Sequence, residues 1–407
     1  MPSPPEFDIL PNGTVTSPKG FLAGATFAGL KTYGAEKLDM GILYSEVPCT
    51  AAGVFTTNQV KAASVLVCAK HLKLGRAQAI IANSGCANAC VGAQGMKDAL
   101  ETTELAARKL GLEPEQVLIA STGIIGVELP MALIRRGINQ VSVSPDRGAE
   151  LAKAIMTTDT HPKEVAVRLE LDGRQVTIGG IAKGAGMIHP NMATMLSFIA
   201  TDAAVERAFL QQALRDAVDS SFNMITVDGD TSTNDTVLLL ANGASGGRTL
   251  ESQSPEAALF ADALKQVCMH LAKQIVRDGE GSTRLIEVTV EGARNVADAR
   301  SAARTIASSS LVKTAVHGGD PNWGRILGAL GRSGAKITES KVALWINGIC
   351  TMEKGTPVPF YKDAAVASMK APEVSIRVAL NLGRASATAW GCDLSQEYVR
   401  LNSVYTT

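Results

Sequence analysis

No stretch of this 407-residue chain is apolar for long enough to cross a bilayer. Its first residues, MPSPPEFDILPNG, have neither a basic start nor the apolar run of an export signal. A cytoplasmic protein without membrane contact is expected. No charge of one sign dominates: lysine plus arginine and aspartate plus glutamate number 39 each, so no global field draws the chain to nucleic acid. A small molecule is the better default ligand. Cysteine is sparse, with seven residues spread from Cys49 to Cys392 and no CxxC motif, which suits reduced buried thiols rather than a disulfide frame. Cys86 and Cys90 lie closest together but lack partner histidines or cysteines at ligand spacing, so no metal is expected there. The GxxxxGKS/T and GxGxxG spacings are missing and no GxSxG elbow precedes a helix, which argues against a nucleotide site and an ordinary serine hydrolase. No fixed-period repeat is visible.

What is present is a large apolar fraction, 46%, enough for two or three subdomains, together with 38 glycines and only 4% aromatics. That balance suits short strands, tight turns and close packing. Strand-like runs are predicted at 78–82, 116–121, 164–171, 175–181, 194–200, 236–241, 285–290, 342–346 and 374–380. Helical patterns are predicted at 96–110, 130–140, 205–220, 255–277, 297–308 and 362–369. The first carries Ala99, Leu100, Thr103, Ala106, Ala107 and Leu110 on one stripe, and Gly111 stops it. Strands and helices mixed in this way indicate an α/β or α+β layered sandwich.

The most informative string is KGAGMIHPNMATMLSFIATDA, Lys183 to Ala203, which holds 18 residues without a formal charge between Lys183 and Asp202. Gly184, Gly186 and Pro190 break it, so it is neither a bilayer span nor an ordinary core strand. After Ala193, the run from Thr194 reads as a strand that would begin at the threonine if the chain were cut there. A free N-terminal threonine would carry its own general base, since a chain-terminal amine ordinarily titrates at about 7.7–8.0. One cleavage would make both nucleophile and base. Taken alone, Thr194 is equally a β-branched residue of a buried strand.

The string KGAGMIHPNMATML resembles the self-cleavage site of the ornithine acetyltransferase family, also called glutamate N-acetyltransferase, and the resemblance extends over nearly the whole chain. It implies an αββα sandwich in which residues 1–193 and 194–407 become two interlocked chains after cleavage between Ala193 and Thr194. It implies Thr194 as the nucleophile, and an oxyanion hole at Thr122 and Gly123 in LIASTGIIG. It implies substrate contacts from Thr157, Lys183, Thr194, Glu280, Asn402 and the terminal Thr407. The implied reaction moves an acetyl group from N-acetylornithine to glutamate by a ping-pong route in arginine biosynthesis, with acetyl-CoA as a further donor in bifunctional members. No cofactor or metal is implied, and the assembly would be a heterotetramer of two α and two β chains. The chemistry is coherent. Gly123 lets a backbone N–H approach closely, Lys183 can pair with a carboxylate, and Glu280, in RDGEGSTR, can pair with an ammonium.

Other strings leave alternatives open. NSGCANACVGAQG, Asn83 to Gly95, reads as a strand end and loop where a helix N-terminus could bind an anion, or as only a tight connection. DPNWGRILGALGRSG, Asp320 to Gly334, reads as a turn and a packing helix. VDGDTSTNDT, Val227 to Thr236, imitates a calcium loop, but Thr233 stands where glycine is needed and Leu239 where the bidentate glutamate is needed. A hydrogen-bonded loop whose Asn234 lines the active site is expected instead. His189 is expected to serve structure or processing rather than catalysis. A self-processing aminopeptidase of related fold and an uncleaved binding protein remain the rival readings.

Overall fold

The structure, a computed structural model, describes residues 7–31, 37–189 and 195–404. Strand Met40–Phe55 organises its first sheet by serving two sets of partners. Its C-terminal part pairs antiparallel with Thr236–Ala241, while its N-terminal part pairs with Phe21–Thr26 and Arg76–Cys86. The ladder to Arg76–Cys86 breaks between Tyr44 and Cys49, and Pro48 falls in that break, where its missing N–H costs no ladder bond. Val117–Ile124 extends the sheet beyond Arg76–Cys86. On the other side follow Leu196–Thr201, Arg174–Lys183, Lys163–Leu171 and Phe7–Ile9.

Alternation in the central strands assigns side chains to two cores. Ile199, Val237 and Leu239 pack with helices Arg207–Ser220 and Ala257–Arg277. Phe198, Ala200, Leu238 and Leu240 share the other core with Ile42, Ile80 and Leu118, and with Ala99 and Ile134 from helices Gly92–Leu110 and Met131–Gln140. The expected helix–sheet–sheet–helix order results. A second sheet is centred on Leu285–Ala293, which pairs parallel with Glu373–Ala379 and antiparallel with Ala385–Cys392. Helix Val296–Ala307 covers it through Ala299, Ala302, Ala303 and Ile306, small side chains that let helix and sheet approach closely. Helix Ala257–Arg277 contacts strands of both sheets, which explains why its apolar residues extend beyond one stripe.

Residue 193 does not separate two compact bodies. Arg174–Lys183, Leu196–Thr201, Thr236–Ala241 and Met40–Phe55 are consecutive neighbours in one sheet, so chain from both sides of it interleaves.

Most predicted elements are present with shifted ends, and several differ. The helix predicted from Met96 begins at Gly92, because Gly95 fits against Asn88, whose side-chain amide donates to the Gly95 carbonyl at 2.9 Å. The strand predicted to open at Thr194 is Leu196–Thr201, preceded by Met195; Thr194 lies outside the described residues, as do Ala193 and Thr407. Strands Met40–Phe55 and Ala385–Cys392 and helices Ser310–His317 and Gln396–Val404 were not predicted. The thiols are not uniformly buried either: Cys90 is exposed and Cys350 half-buried, both in connections or edge positions away from the cores. No helix among the described residues is long and apolar enough to cross a membrane.

Candidate active site

The buried strand Val117–Ile124 carries Thr122 and Gly123 at its end, in register with Ser84 and Gly85 of the parallel neighbour. Gly123 has φ +131°, and a Cβ there would lie 2.5 Å from the Cys86 nitrogen, so only glycine fits. The connection after Arg76–Cys86 is bonded to this turn: Ala87 N–H donates to the Ile124 carbonyl and Gly126 N–H to that of Ala89, both at 2.9 Å. The NSGCANACVGAQG string is therefore a tight connection that shapes the turn.

A cavity of about 400 Å³ opens beside it. Thr122, Gly123, Thr157, Lys183, Glu280 and Asn402 all line it, so six of the candidate residues, drawn from distant parts of the chain, converge on one place. Asn234 also lines it, and its amide donates to the carbonyls of Ala87 at 2.6 Å and Ser121 at 2.8 Å. Sequence reasoning missed Asp228, Asp230, Gly186 and Tyr398, which also line it. Asp228 and Asp230 stood in the sequence only as a false metal motif, and Tyr398 belongs to a helix without a buried face.

Lys183 is not a solvated lysine. It is 2% exposed, and its Nζ donates to Thr122 Oγ1 at 3.2 Å. That bond occupies a lone pair of the hydroxyl and leaves its proton to be donated to a ligand oxygen. Burial depresses the Lys183 ammonium below its ordinary pKa, while Asp159 pulls it back up. Asp159 accepts from Gly184 N–H at 2.6 Å, Thr157 N–H at 3.0 Å and Lys163 Nζ at 2.7 Å. Lys163, also buried, bonds Asp278 at 2.6 Å. Burial alone would raise Asp159, but Lys163 and Lys183 outweigh it and hold the carboxyl at about 2. One carboxylate thus ties together the Thr157 loop and the residue after Lys183.

The other side of the cavity is acidic. Glu280 sits in a turn, its N–H donating to the Ala185 carbonyl at 2.8 Å and its carboxylate accepting from Asn402 Nδ2 at 2.7 Å. Gly186 makes room for it, since a Cβ there would lie 2.5 Å from a Glu280 oxygen. Burial pushes Asp228 up to about 6, against the pull of three amide donors. Burial first, and then the charges of Asp228, Glu280 and Asp230, raise the Tyr398 phenol above its ordinary range. A lysine on one side and carboxylates on the other suit a small ligand that carries both an anionic and a cationic group.

A family profile described as the ArgJ family matches residues 22–407. The arginine biosynthesis bifunctional protein ArgJ of Symbiobacterium thermophilum is 54% identical over 397 residues, 97% of this chain and 99% of that protein. The chain belongs to the ArgJ family. The protein of the same name from Dehalococcoides mccartyi is 52% identical over 400 residues, covering 98% of this chain and 99% of the relative. A solved structure of ArgJ from Bacillus halodurans is 46% identical with a TM-score of 0.51, and the match covers 52% of this chain and 100% of that one. In this ArgJ-family chain the site residues are supplied from both sides of residue 193, Thr122, Thr157 and Lys183 before it and Asn234, Glu280 and Asn402 after it.

Proposed function

We propose that this chain is a self-cleaving N-acetyltransferase of arginine biosynthesis, which moves the acetyl group of N-acetylornithine to glutamate and also accepts acetyl-CoA as donor. The observation that carries the reading is the cavity itself, where an oxyanion-type turn with a buried lysine faces an acidic recognition side. Thr194 Oγ attacks the Ala193 carbonyl, the peptide C–N bond breaks, and the hydroxyl proton passes to the freed amine. One water then hydrolyses the ester. In turnover the amine accepts the Thr194 hydroxyl proton as Oγ attacks the acetyl carbonyl, and the Gly123 N–H and Thr122 hydroxyl stabilise the oxyanion. The C–N bond of the donor breaks and ornithine leaves with the proton; the glutamate amine then attacks the acetyl ester, the C–Oγ bond breaks, and the proton lost by that amine returns to Thr194 Oγ.

A donor side chain bearing an ammonium suits Glu280 and the neighbouring carboxylates, and the amino-acid carboxylate suits Lys183. The half-length match to the Bacillus halodurans chain supports a division near the middle, into 1–193 and 194–407. The relatives' name, bifunctional, supports the second donor. No cofactor takes part in this scheme, and the working form is a cytoplasmic heterotetramer of two α and two β chains. Thr407 would complete the site.

Intact mass under denaturing conditions and N-terminal sequencing test the processing step. Two fragments are expected, one beginning Thr-Met-Leu-Ser-Phe, and Thr194→Ala should give only the full-length chain. Thr194→Ser, which keeps a hydroxyl, should retain some cleavage. Glutamate-dependent loss of acetyl from N-acetylornithine tests the transfer, and release of acetate to water alone would overturn it.

A further inference from the structure

The VDGDTSTNDT string imitates a metal site without being one, and two of its carboxyls, those of Asp228 and Asp235, are bonded to backbone amides. Asp228 accepts from the amide of Met187 at one oxygen and from that of Ile188, at 2.9 Å, at the other. Asp235, 0% exposed, accepts from the amide of Met195 at 3.1 Å. The backbone of the same string makes parallel bonds: Val227 N–H donates to the Ile188 carbonyl at 2.7 Å, and Thr236 N–H to that of Met195 at 3.1 Å. The bonded residues are the last before and the first after the span 189–194, except for His189, whose Nδ1 meets Thr226 Oγ1 at 3.2 Å. One short segment therefore grips the chain on both flanks of the Ala193–Thr194 bond, with a carboxyl at each grip.

We infer that Asp235 and Asp228 are positioning residues for self-cleavage, holding the two flanks of the scissile segment so that the Thr194 hydroxyl meets the Ala193 carbonyl. The inference rests on the cleavage proposed above and assigns the geometric part of it to this string. The Asp235 bond is the more direct. Met195, whose N–H it holds, is the residue that follows Thr194 in the chain. An attack within one chain needs its reacting atoms within about 3–3.5 Å, and a misplacement of about 1 Å costs on the order of 10²-fold in rate. A buried carboxyl with no ammonium bonded to it stands well above the ordinary carboxylate range, because burial disfavours its charge. An asparagine at this position keeps a carbonyl oxygen that accepts from the Met195 N–H.

The test follows precursor conversion to fragments by intact mass after a pulse of synthesis, in the full chain. Wild type and Thr194→Ala are run alongside to establish that the cut occurs and needs Thr194; an uncut wild type would overturn the cleavage reading and this inference with it. Where wild type cuts, Asp235→Ala is expected to slow cleavage about 10²-fold. Asp235→Asn, which keeps the acceptor, is expected to restore it to within about threefold. Asp228→Asn keeps an acceptor for only one of its two flank amides and should fall between them. A role in stability alone would instead lower the melting temperature of both Asp235 variants while each cut at the wild-type rate. Cleavage of Asp235→Ala at the wild-type rate, or equal slowing in the Asn and Ala variants, would overturn the assignment. If Asp235→Ala fails to fold, the Asn variant decides: a folded Asn variant that cuts about 10²-fold slowly refutes the acceptor role, and one that cuts normally upholds it.

Discussion

Lys183 and Asn402 border the same cavity, yet the first is 2% exposed and the second lies open on a surface helix. Around Lys183 the contacts are internal: Thr122 takes its hydrogen bond, and Asp159, itself held by the buried Lys163–Asp278 pair, fixes the backbone of the residue that follows. Helix Gln396–Val404, which carries Tyr398 and Asn402, has no fully buried side chain, and Val399 and Val404 are among the most exposed apolar residues. The contrast separates two requirements. Stabilising a developing oxyanion needs donors fixed in place and shielded from water. Admitting and releasing a charged amino acid needs a wall that can give way, and a helix without a buried face opens at little cost.

The sharpest way to break the contrast is to unfix the buried side. Lys163→Met leaves Asp159 and Asp278 buried without their cation, and should cost ~3–5 kcal/mol of stability, read from urea denaturation. Thr122→Ala should leave the fold intact and lower kcat about 10²–10³-fold with little change in KM, because the lost donor acts on the transition state. Acid should loosen the same side in a defined window. Burial opposes the Asp159 charge, but Lys163 and Lys183 bring its carboxyl down to about 2 from an ordinary 3.8. Its stabilisation is complete above 3.8, is lost as pH falls towards about 2, and amounts to roughly 2 kcal/mol. The stability difference between wild type and Asp159→Asn should therefore shrink over that window, as followed by thermal melts. On the open side Asn402→Ala removes one hydrogen bond to Glu280 at an exposed position. It should raise KM for the donor up to about tenfold, with the melting temperature unchanged.

The sequence displayed the components of the site better than their arrangement. The family resemblance marked Thr122 and Gly123 in LIASTGIIG as the donor turn, and Glu280, between two glycines, read as a turn whose carboxylate faces a pocket; the close backbone approach that glycine permits made both coherent. The charge chain Asp159–Lys163–Asp278 was invisible, since Asp278 lies 115 residues beyond Lys163 and each looks like an ordinary surface charge. Helix Gln396–Val404 was invisible for the opposite reason: with no buried side it has no apolar stripe to find. Strand Met40–Phe55 hid behind Pro48, which normally argues against a strand and here falls where the ladder is interrupted. The Val227 to Thr236 string was legible as a loop, but not as a grip on Ile188 and Met195, because the grip exists only once the sheet has brought Thr236 beside Leu196.

The interleaving of the first sheet gives the molecule a history. Thr236–Ala241 lies between Leu196–Thr201 and Met40–Phe55, so each piece that the proposed scission at 193 would leave contains strands whose neighbours belong to the other piece. While the chain is whole, those strands find each other as parts of one polymer, at the effective concentration that a tether provides. Once cut, two diffusing fragments would have to meet before any sheet could form. Under the cleavage proposed above, the bond between Ala193 and Thr194 serves as an assembly jig, used once and discarded. A denatured mature protein should regain its fold with second-order dependence on concentration, whereas the uncut Thr194→Ala chain should refold at a rate that dilution leaves alone.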